Sequence, residues 1–248
     1  MSLLGRIFGN TAALELKGFT DWHSHILPGV DDGVKTTDES IAILSRMEQA
    51  GVREVWLTPH IMEDIPNTTA YLRERFDSLM KVYGGGILLH LAAENMIDSL
   101  FEERLKAGDL IPIGKNRDML LVETSYFNAP MGLHDTFEEI KSVGYHPLMA
   151  HPERYTYVDD IGEYSAWKEM GVRLQLNILS LAGHYGPDAR HKAEELLKKD
   201  MYDFAGTDLH HKSQLGRLQQ MRLSKNMLTH LNRLIVNTLS ETLTTKHI

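Results

Sequence analysis

The chain has 248 residues, 42% of them hydrophobic and 24% charged, a balance typical of a globular protein that buries a substantial core. A net charge of -8 argues against a broad nucleic-acid footprint, which needs a basic face, while bound divalent cations would still admit an anionic substrate. With no cysteine, disulfides, thiolate metal sites and cysteine-nucleophile mechanisms are excluded.

The first apolar segment, residues 3–8, is too short to be a signal-peptide core and is broken by Arg6. No apolar run reaches the length of a membrane span. Residues 1–17 therefore read as a loosely docked N-terminal tail, with contact at the inner face of a membrane left open, and the expected compartment is the cytoplasm. Residues 18–248 read as one domain in which short apolar runs alternate with longer helical patterns, the signature of βα units. In chain order the expectation is strand 19–23, helix 37–50 capped by Thr37 and closed by Gly51, strand 54–58 and helix 68–83. Strand 87–94, helix 99–106, strand 119–123, helix 133–143 and strand 146–150 follow. Helix 161–170, strand 173–177, helix 187–199 opening on Pro187, and strand 202–206 come next. The last helix, 225–243, is expected from the apolar spacing of Met227, Leu231, Leu234, Ile235 and Leu239.

Six of these seven strands end in, or just before, a His, Asp or Glu, and the remaining one ends in Asn177. In a closed parallel barrel those ends meet at one rim, where active sites are built. An open sheet would spread them along a line too long for one site. The expected fold is α/β, a (β/α)7-type barrel.

The strand ends supply the candidate metal ligands. His23 and His25 lie two apart on a strand and project from the same face, so both imidazoles can meet one ion. Asp208 and His210 repeat that spacing after Phe204-Ala205-Gly206. Glu94 and Glu123 each end an apolar run, where an unpaired carboxylate is costly to bury and requires a metal or a basic partner. Asp32 lies in the turn Gly29-Val30-Asp31-Asp32-Gly33, where aspartates also serve simply to stabilise the turn; Asp31 is the alternative ligand. With His60 and His151 the set exceeds what one ion needs and suits two or three clustered ions. Imidazole and carboxylate without thiolate fit Mn²⁺, Fe, Zn²⁺ or Mg²⁺. Asp21 is expected to orient a liganding histidine, and the other histidines, His211 included, read as structural or solvated. Arg154, three residues past His151, can reach over the metals with its planar donor fork, which suits a phosphate. Arg217, seven residues after His210, can do the same from the last loop; a surface salt bridge is the alternative for both.

The run Asp21-x-His23-x-His25-Ile-Leu-Pro-Gly-Val-Asp-Asp-Gly33, with Thr58-Pro59-His60, His151-Pro152-Glu153-Arg154-Tyr155 and Asp208-x-His210, resembles the PHP (polymerase and histidinol phosphatase) superfamily. More narrowly, it is similar to the manganese-dependent tyrosine-protein phosphatases of bacterial capsule and exopolysaccharide loci, over residues 18 to 220. The resemblance implies a distorted, TIM-like seven-stranded barrel with three divalent ions, Mn²⁺ foremost. It implies His23, His25, Glu94 and Asp208 on one ion, and Asp32, His60 and His210 on a second. Glu94 as a bridge, Glu123 and His151 would hold the third, with Arg154 and Arg217 on the phosphate. The implied activity is hydrolysis of phosphotyrosine on a protein, a tyrosine kinase of polysaccharide biosynthesis, by metal-bound hydroxide. The rivals are a small-molecule phosphatase such as histidinol phosphatase, a more distant amidohydrolase, and a metal-binding regulatory barrel without turnover. Ile178 and Leu179 depart from the small residues that members often carry after the sixth-strand Asn, which would alter the pocket wall.

Overall fold

The computed structural model describes residues 11–238. Residues 3–8, the end of the last helix from 239, and His247 lie outside them. The elements run β1 (Thr11–Ala13), β2 (Thr20–Asp21), α1 (Thr37–Gln49), β3 (Glu54–Leu57), β4 (His60–Ile61), α2 (Thr69–Met80), β5 (Leu88–Leu91) and β6 (Glu94–Met96). Then follow α3 (Ser99–Ala107), β7 (Met119–Glu123), α4 (Leu133–Ser142), β8 (His146–Ala150), a 3-10 turn (Pro152–Arg154), α5 (Ile161–Glu169) and β9 (Arg173–Asn177). The chain continues through α6 (Ile178–Leu181), α7 (Pro187–Lys198), β10 (Phe204–Gly206), α8 (Lys212–Gln220), β11 (Arg222–Ser224) and α9 (Lys225–Asn237). Among the described residues no helix is long and apolar enough to cross a membrane.

The architecture is mixed α/β around a curled parallel sheet. β2, β3 and β5 form one run of three strands, and β4, β6, β7, β8, β9 and β10 form a second of six. The division arises because two predicted strands bend rather than end. Pro59 has no N–H to give the ladder, so the second strand breaks into β3 and β4. The third breaks beside it at Ala92-Ala93, yet the register from Leu57↔Leu91 to His60↔Glu94 is unchanged. The bend sets His60 directly beside Glu94. At the far side, Trp22 N–H donates to Ala205 O (3.3 Å), His25 N–H to Leu209 O (2.9 Å) and Asp208 N–H to His23 O (2.8 Å), tying the segment that follows β2 to β10 and the residues after it.

Strand alternation sorts the side chains into two buried layers. Val55, Leu57, Leu120, Val122, Met149, Leu174, Leu176 and Ala205 belong to the main core with the helices. Trp56, Met119, Leu121, Leu148, Ala150 and Phe204 face the other way, where Trp22 lies 5.7 Å from Trp56 and 4.4 Å from Phe204. Glu123 shares the face of Met119 and Leu121, so this aromatic layer is the floor beneath the polar strand ends.

Several local features differ from expectation. Thr36, not Thr37, caps α1, its hydroxyl accepting from Glu39 N–H. The helix α8, the single turn α6 and the antiparallel β1–β11 pair were not anticipated. Part of the segment read as a tail thus forms a strand, with Leu14 and Leu16 buried behind it. Ile178 and Leu179 are fully buried in the main core, so they do not form a pocket wall.

Candidate active site

Close backbone approaches bring the strand ends together. A Cβ on Gly206 would stand 2.5 Å from His23 Cβ and 2.8 Å from its backbone N, so only glycine lets β10 run beside the first histidine. A Cβ on Gly33 would stand 2.2 Å from His25 O, so this glycine lets the Asp31-Asp32 turn fold back over the second. His151 (φ 32°) and Asp208 (φ 50°) both adopt the left-handed conformation, which costs a non-glycine residue about 1–2 kcal/mol. Such strain persists where the surroundings enforce it, and it clusters at functional sites.

All the predicted ligands converge. His23 Nε2 lies 3.2 Å from Glu94 Oε2 and 3.5 Å from Asp208 Oδ1, and His25 Nε2 lies 3.2 and 3.3 Å from the same two atoms. The two imidazole Nε2 atoms face each other at 3.0 Å. His60 Nδ1 is 3.1 Å from Glu94 Oε2 and 3.0 Å from Glu123 Oε1, and its Nε2 is 3.5 Å from Asp32 Oδ1. His210 Nε2 reaches the same Asp32 oxygen at 3.4 Å. Among the described residues three groups could each hold an ion: His23, His25, Glu94 and Asp208; His25, Asp32, His60 and His210; and His60, Glu94 and Glu123. The first matches the quartet implied by the resemblance. In the third, His60 stands where His151 was expected, while His151 Nε2 meets Glu94 Oε1 at 3.0 Å. Asp32 is 63% exposed at its side chain, so the cluster opens to solvent on that side.

The donor chemistry fits cations. Gln175 gives its amide hydrogen to Leu176 O, so its Oε1 accepts from His23 Nδ1 (2.9 Å). His25 Nδ1 donates to Asp31 Oδ2 at 2.9 Å. Both Nε2 lone pairs therefore point at each other and at two carboxylate oxygens, an assembly of acceptors with no donor. His60 Nδ1, Glu94 Oε2 and Glu123 Oε1 are buried without a hydrogen-bond partner. Such a set is costly unless positive charge fills it. Without metal, protons take that role. Burial opposes charge on His23, but Glu94 and Asp208 outweigh it and push its pKa up to about 9. His25 likewise rises well above the ordinary range, against burial, through Asp31, Asp208 and Glu94. Glu94 and Asp208 are held well below theirs by the histidines despite complete burial.

The turn aspartates divide the work. Asp31 accepts from His25 Nδ1, Gly33 N–H (3.0 Å) and the His60 backbone N–H (3.1 Å), so it orients the His25 ring and anchors the His60 backbone, whereas Asp32 turns toward the open cluster. Asp21 does not orient an imidazole: it accepts from Thr207 N–H (2.8 Å), Thr207 Oγ1 (2.6 Å) and the His23 backbone (3.3 Å), clasping β2 to the end of β10. The residue that orients His23 is Gln175, missed although a glutamine between Leu174 and Leu176 was a readable irregularity. Gln214 Oε1 accepts from His210 N–H (2.7 Å), and Glu153 accepts from Asn177 N–H, Ser180 and Tyr202, pinning the turn that carries His151 and Arg154. His90 pairs with Glu54 and His134 with Glu163, outside the cluster.

Arg154 enters the cluster's edge, Nη1 donating to Asp208 Oδ2 at 2.7 Å. Asn177 Nδ2 donates to the same oxygen at 3.0 Å. The guanidinium carbon of Arg154 lies 4.3 Å from the Tyr126 ring centre and 4.0 Å from that of Tyr185, two residues that no local pattern marks. Arg217 is on exposed α8 and donates from Nη1 to His184 Nδ1 at 3.1 Å.

Comparison with known proteins bears on this centre. The profile of the family described as "Capsular polysaccharide synthesis, CpsB/CapC" matches residues 19–241. The putative tyrosine-protein phosphatase CapC of Staphylococcus aureus is 28% identical over 196 residues, covering 77% of this chain and 76% of its own. The tyrosine-protein phosphatase YwqE of Bacillus subtilis is 28% identical over 195 residues, with the same coverage of 77% and 76%. The crystal structures of YwqE from Bacillus subtilis and CpsB from Streptococcus pneumoniae are described as unique metal-dependent tyrosine phosphatases. A chain from them superposes with a TM-score of 0.73 at 25% identity, covering 88% of this chain and 94% of that one.

Proposed function

Because the chain belongs to the capsular polysaccharide synthesis CpsB/CapC family, we propose that it is a metal-dependent protein-tyrosine phosphatase. One observation carries the reading: the lone pairs of His23 and His25 converge with Glu94 and Asp208 on a space that only positive charge can occupy, at the edge where Arg154 enters.

The ligands in this reading are His23, His25, Asp32, His60, Glu94, Glu123, His151, Asp208 and His210, holding three divalent ions, Mn²⁺ foremost. When bound, such ions acidify a water to serve as nucleophile and neutralise the phosphate dianion. The chain's own groups do the rest. Asp31 and Gln175 fix the imidazole tautomers so that each Nε2 faces inward. Arg154 and Arg217 direct N–H donors at the equatorial oxygens, where charge gathers during an in-line displacement. The leaving phenolate has a parent pKa of about 10, so departure needs no dedicated acid from the chain. The hydrogen bonds joining Trp22–His25 to Ala205–Leu209 support reading the curled sheet as a closed, distorted (β/α)7 barrel within a single domain, which the pairing of β1 with β11 extends to the residues before 18. The proposed substrate is a tyrosine-phosphorylated kinase of polysaccharide biosynthesis, met in the cytoplasm. The relatives' names, tyrosine-protein phosphatases, support a phosphotyrosine-bearing protein as the substrate class.

Turnover of a phosphotyrosine peptide against histidinol phosphate, both with Mn²⁺, tests the substrate class. Faster hydrolysis of the peptide is expected; preference for histidinol phosphate would transfer the site to the small-molecule phosphatases.

A further inference from the structure

We propose that Tyr126, Tyr185 and His184 are positioning residues that hold Arg154 and Arg217 as one preassembled phosphate-binding unit. This rests on reading the two arginines as phosphate contacts. The guanidinium carbon of Arg154 lies over both the Tyr126 ring, at 4.3 Å, and the Tyr185 ring, at 4.0 Å. A guanidinium attracted to aromatic faces is held by its charge and can keep its N–H groups for hydrogen bonding. One of them is spent on Asp208. The others remain for an anion.

The clamp is backed on both sides. Tyr126 stacks on Tyr155 at 6.3 Å, and Tyr155 on Tyr157 at 5.4 Å. Tyr155 is itself fixed, its hydroxyl donating to Ala150 O at 2.9 Å. On the opposite side the Tyr185 hydroxyl accepts from Asn177 Nδ2 at 3.0 Å, and its ring meets His184 edge-on at 4.7 Å. His184 in turn accepts from Arg217 at 3.1 Å, which requires a neutral ring; burial and the charges of Arg217 and Arg154 push its pKa down. A chain of ring, cation–π and hydrogen-bond contacts thus runs from Tyr157 through Arg154 to Arg217. An arginine held in this way loses little further freedom when phosphate arrives, so the clamp acts on binding.

The test uses the full chain loaded with Mn²⁺, with inorganic phosphate binding read by calorimetry and phosphotyrosine-peptide kinetics alongside. Tyr126→Leu and Tyr185→Leu should each weaken phosphate binding and raise KM by roughly 3- to 30-fold, the range a desolvated cation–π contact commands, with a smaller change in kcat. Tyr126→Phe and Tyr185→Phe, which keep the rings, should restore most of the loss. His184→Ala should weaken phosphate in the parent but not once Arg217→Ala is present. In an Arg154→Ala background Tyr126→Leu should add no further loss, and Tyr185→Leu only the part it exerts through His184 and Arg217, the non-additivity expected of residues that act through one group. Where a leucine variant fails to fold, Tyr185→Met removes the ring at similar bulk, and the Mn²⁺ titration reports an intact centre. Equal losses with and without Arg154, or leucine variants that bind phosphate as the parent does, would overturn the clamp. An Arg154→Ala protein that binds phosphate and turns over unchanged would instead remove the underlying reading of Arg154.

Discussion

A histidine serves as an inward-facing ligand when its other ring nitrogen is already engaged, and His23 and His25 meet that condition through Gln175 and Asp31. The same geometry makes the metal-free protein sensitive to pH. His23 has its pKa raised to about 9, because Glu94 and Asp208 outweigh the burial that opposes its charge. The unfolded value is about 6.5. A raised pKa contributes stability that is fully present below the unfolded value and is lost as pH rises through the folded one. The metal-free protein should therefore lose thermal stability between about pH 6.5 and 9. Stabilisation by Mn²⁺ should grow over the same window, since fewer protons must be displaced. Thermal unfolding with and without Mn²⁺ across that range checks it; a stabilisation that shrinks with rising pH would count against the centre. The strand-end histidines and carboxylates were legible because a polar group that closes an apolar run must have a reason. The choice between Asp31 and Asp32 was not, because it depends on Gly33 packing against His25 across the turn. Asp21 was misread for a similar reason: its partner, Thr207, is at the other end of the chain.

Among the elements, helices were read more securely than their caps, and strands more securely than their bends. Periodicity reports which face is buried, so α1, α4 and α7 lay close to expectation. α8 escaped notice because Leu215 and Leu218 are its only buried apolar residues, with Gly216 between them. β1 and β11 pair across nearly the whole chain, which no local window can see. The break at Pro59 was open to inference, since proline removes a ladder donor, but its consequence, His60 beside Glu94, needed the register. β10 carries the sharpest test at this scale. Gly206→Ala should push its new methyl into His23 and destabilise the fold by about 1–3 kcal/mol, the usual cost of overpacking. Mn²⁺ affinity should fall with it. Denaturant unfolding together with a Mn²⁺ titration reads both effects; an unchanged affinity would mean that His23 is free to move without consequence.

Across the whole molecule, the centre is assembled from both ends of the sequence. His23 and His25 follow β2, Asp208 and His210 follow β10, and the hydrogen bonds between those segments hold them in place. Beneath lies the aromatic floor of Trp22, Trp56 and Phe204. The net charge of -8 is no obstacle to an anionic substrate when the local field is set by bound cations and by Arg154. The converging imidazole and carboxylate groups should form a divalent-metal centre. Anomalous scattering at the manganese edge, from crystals grown with Mn²⁺, addresses it most directly. Peaks are predicted within the quartet of His23, His25, Glu94 and Asp208, between Asp32, His60 and His210, and beside Glu123. A map with no anomalous peak among these side chains, in crystals that hold Mn²⁺ elsewhere, would contradict the account.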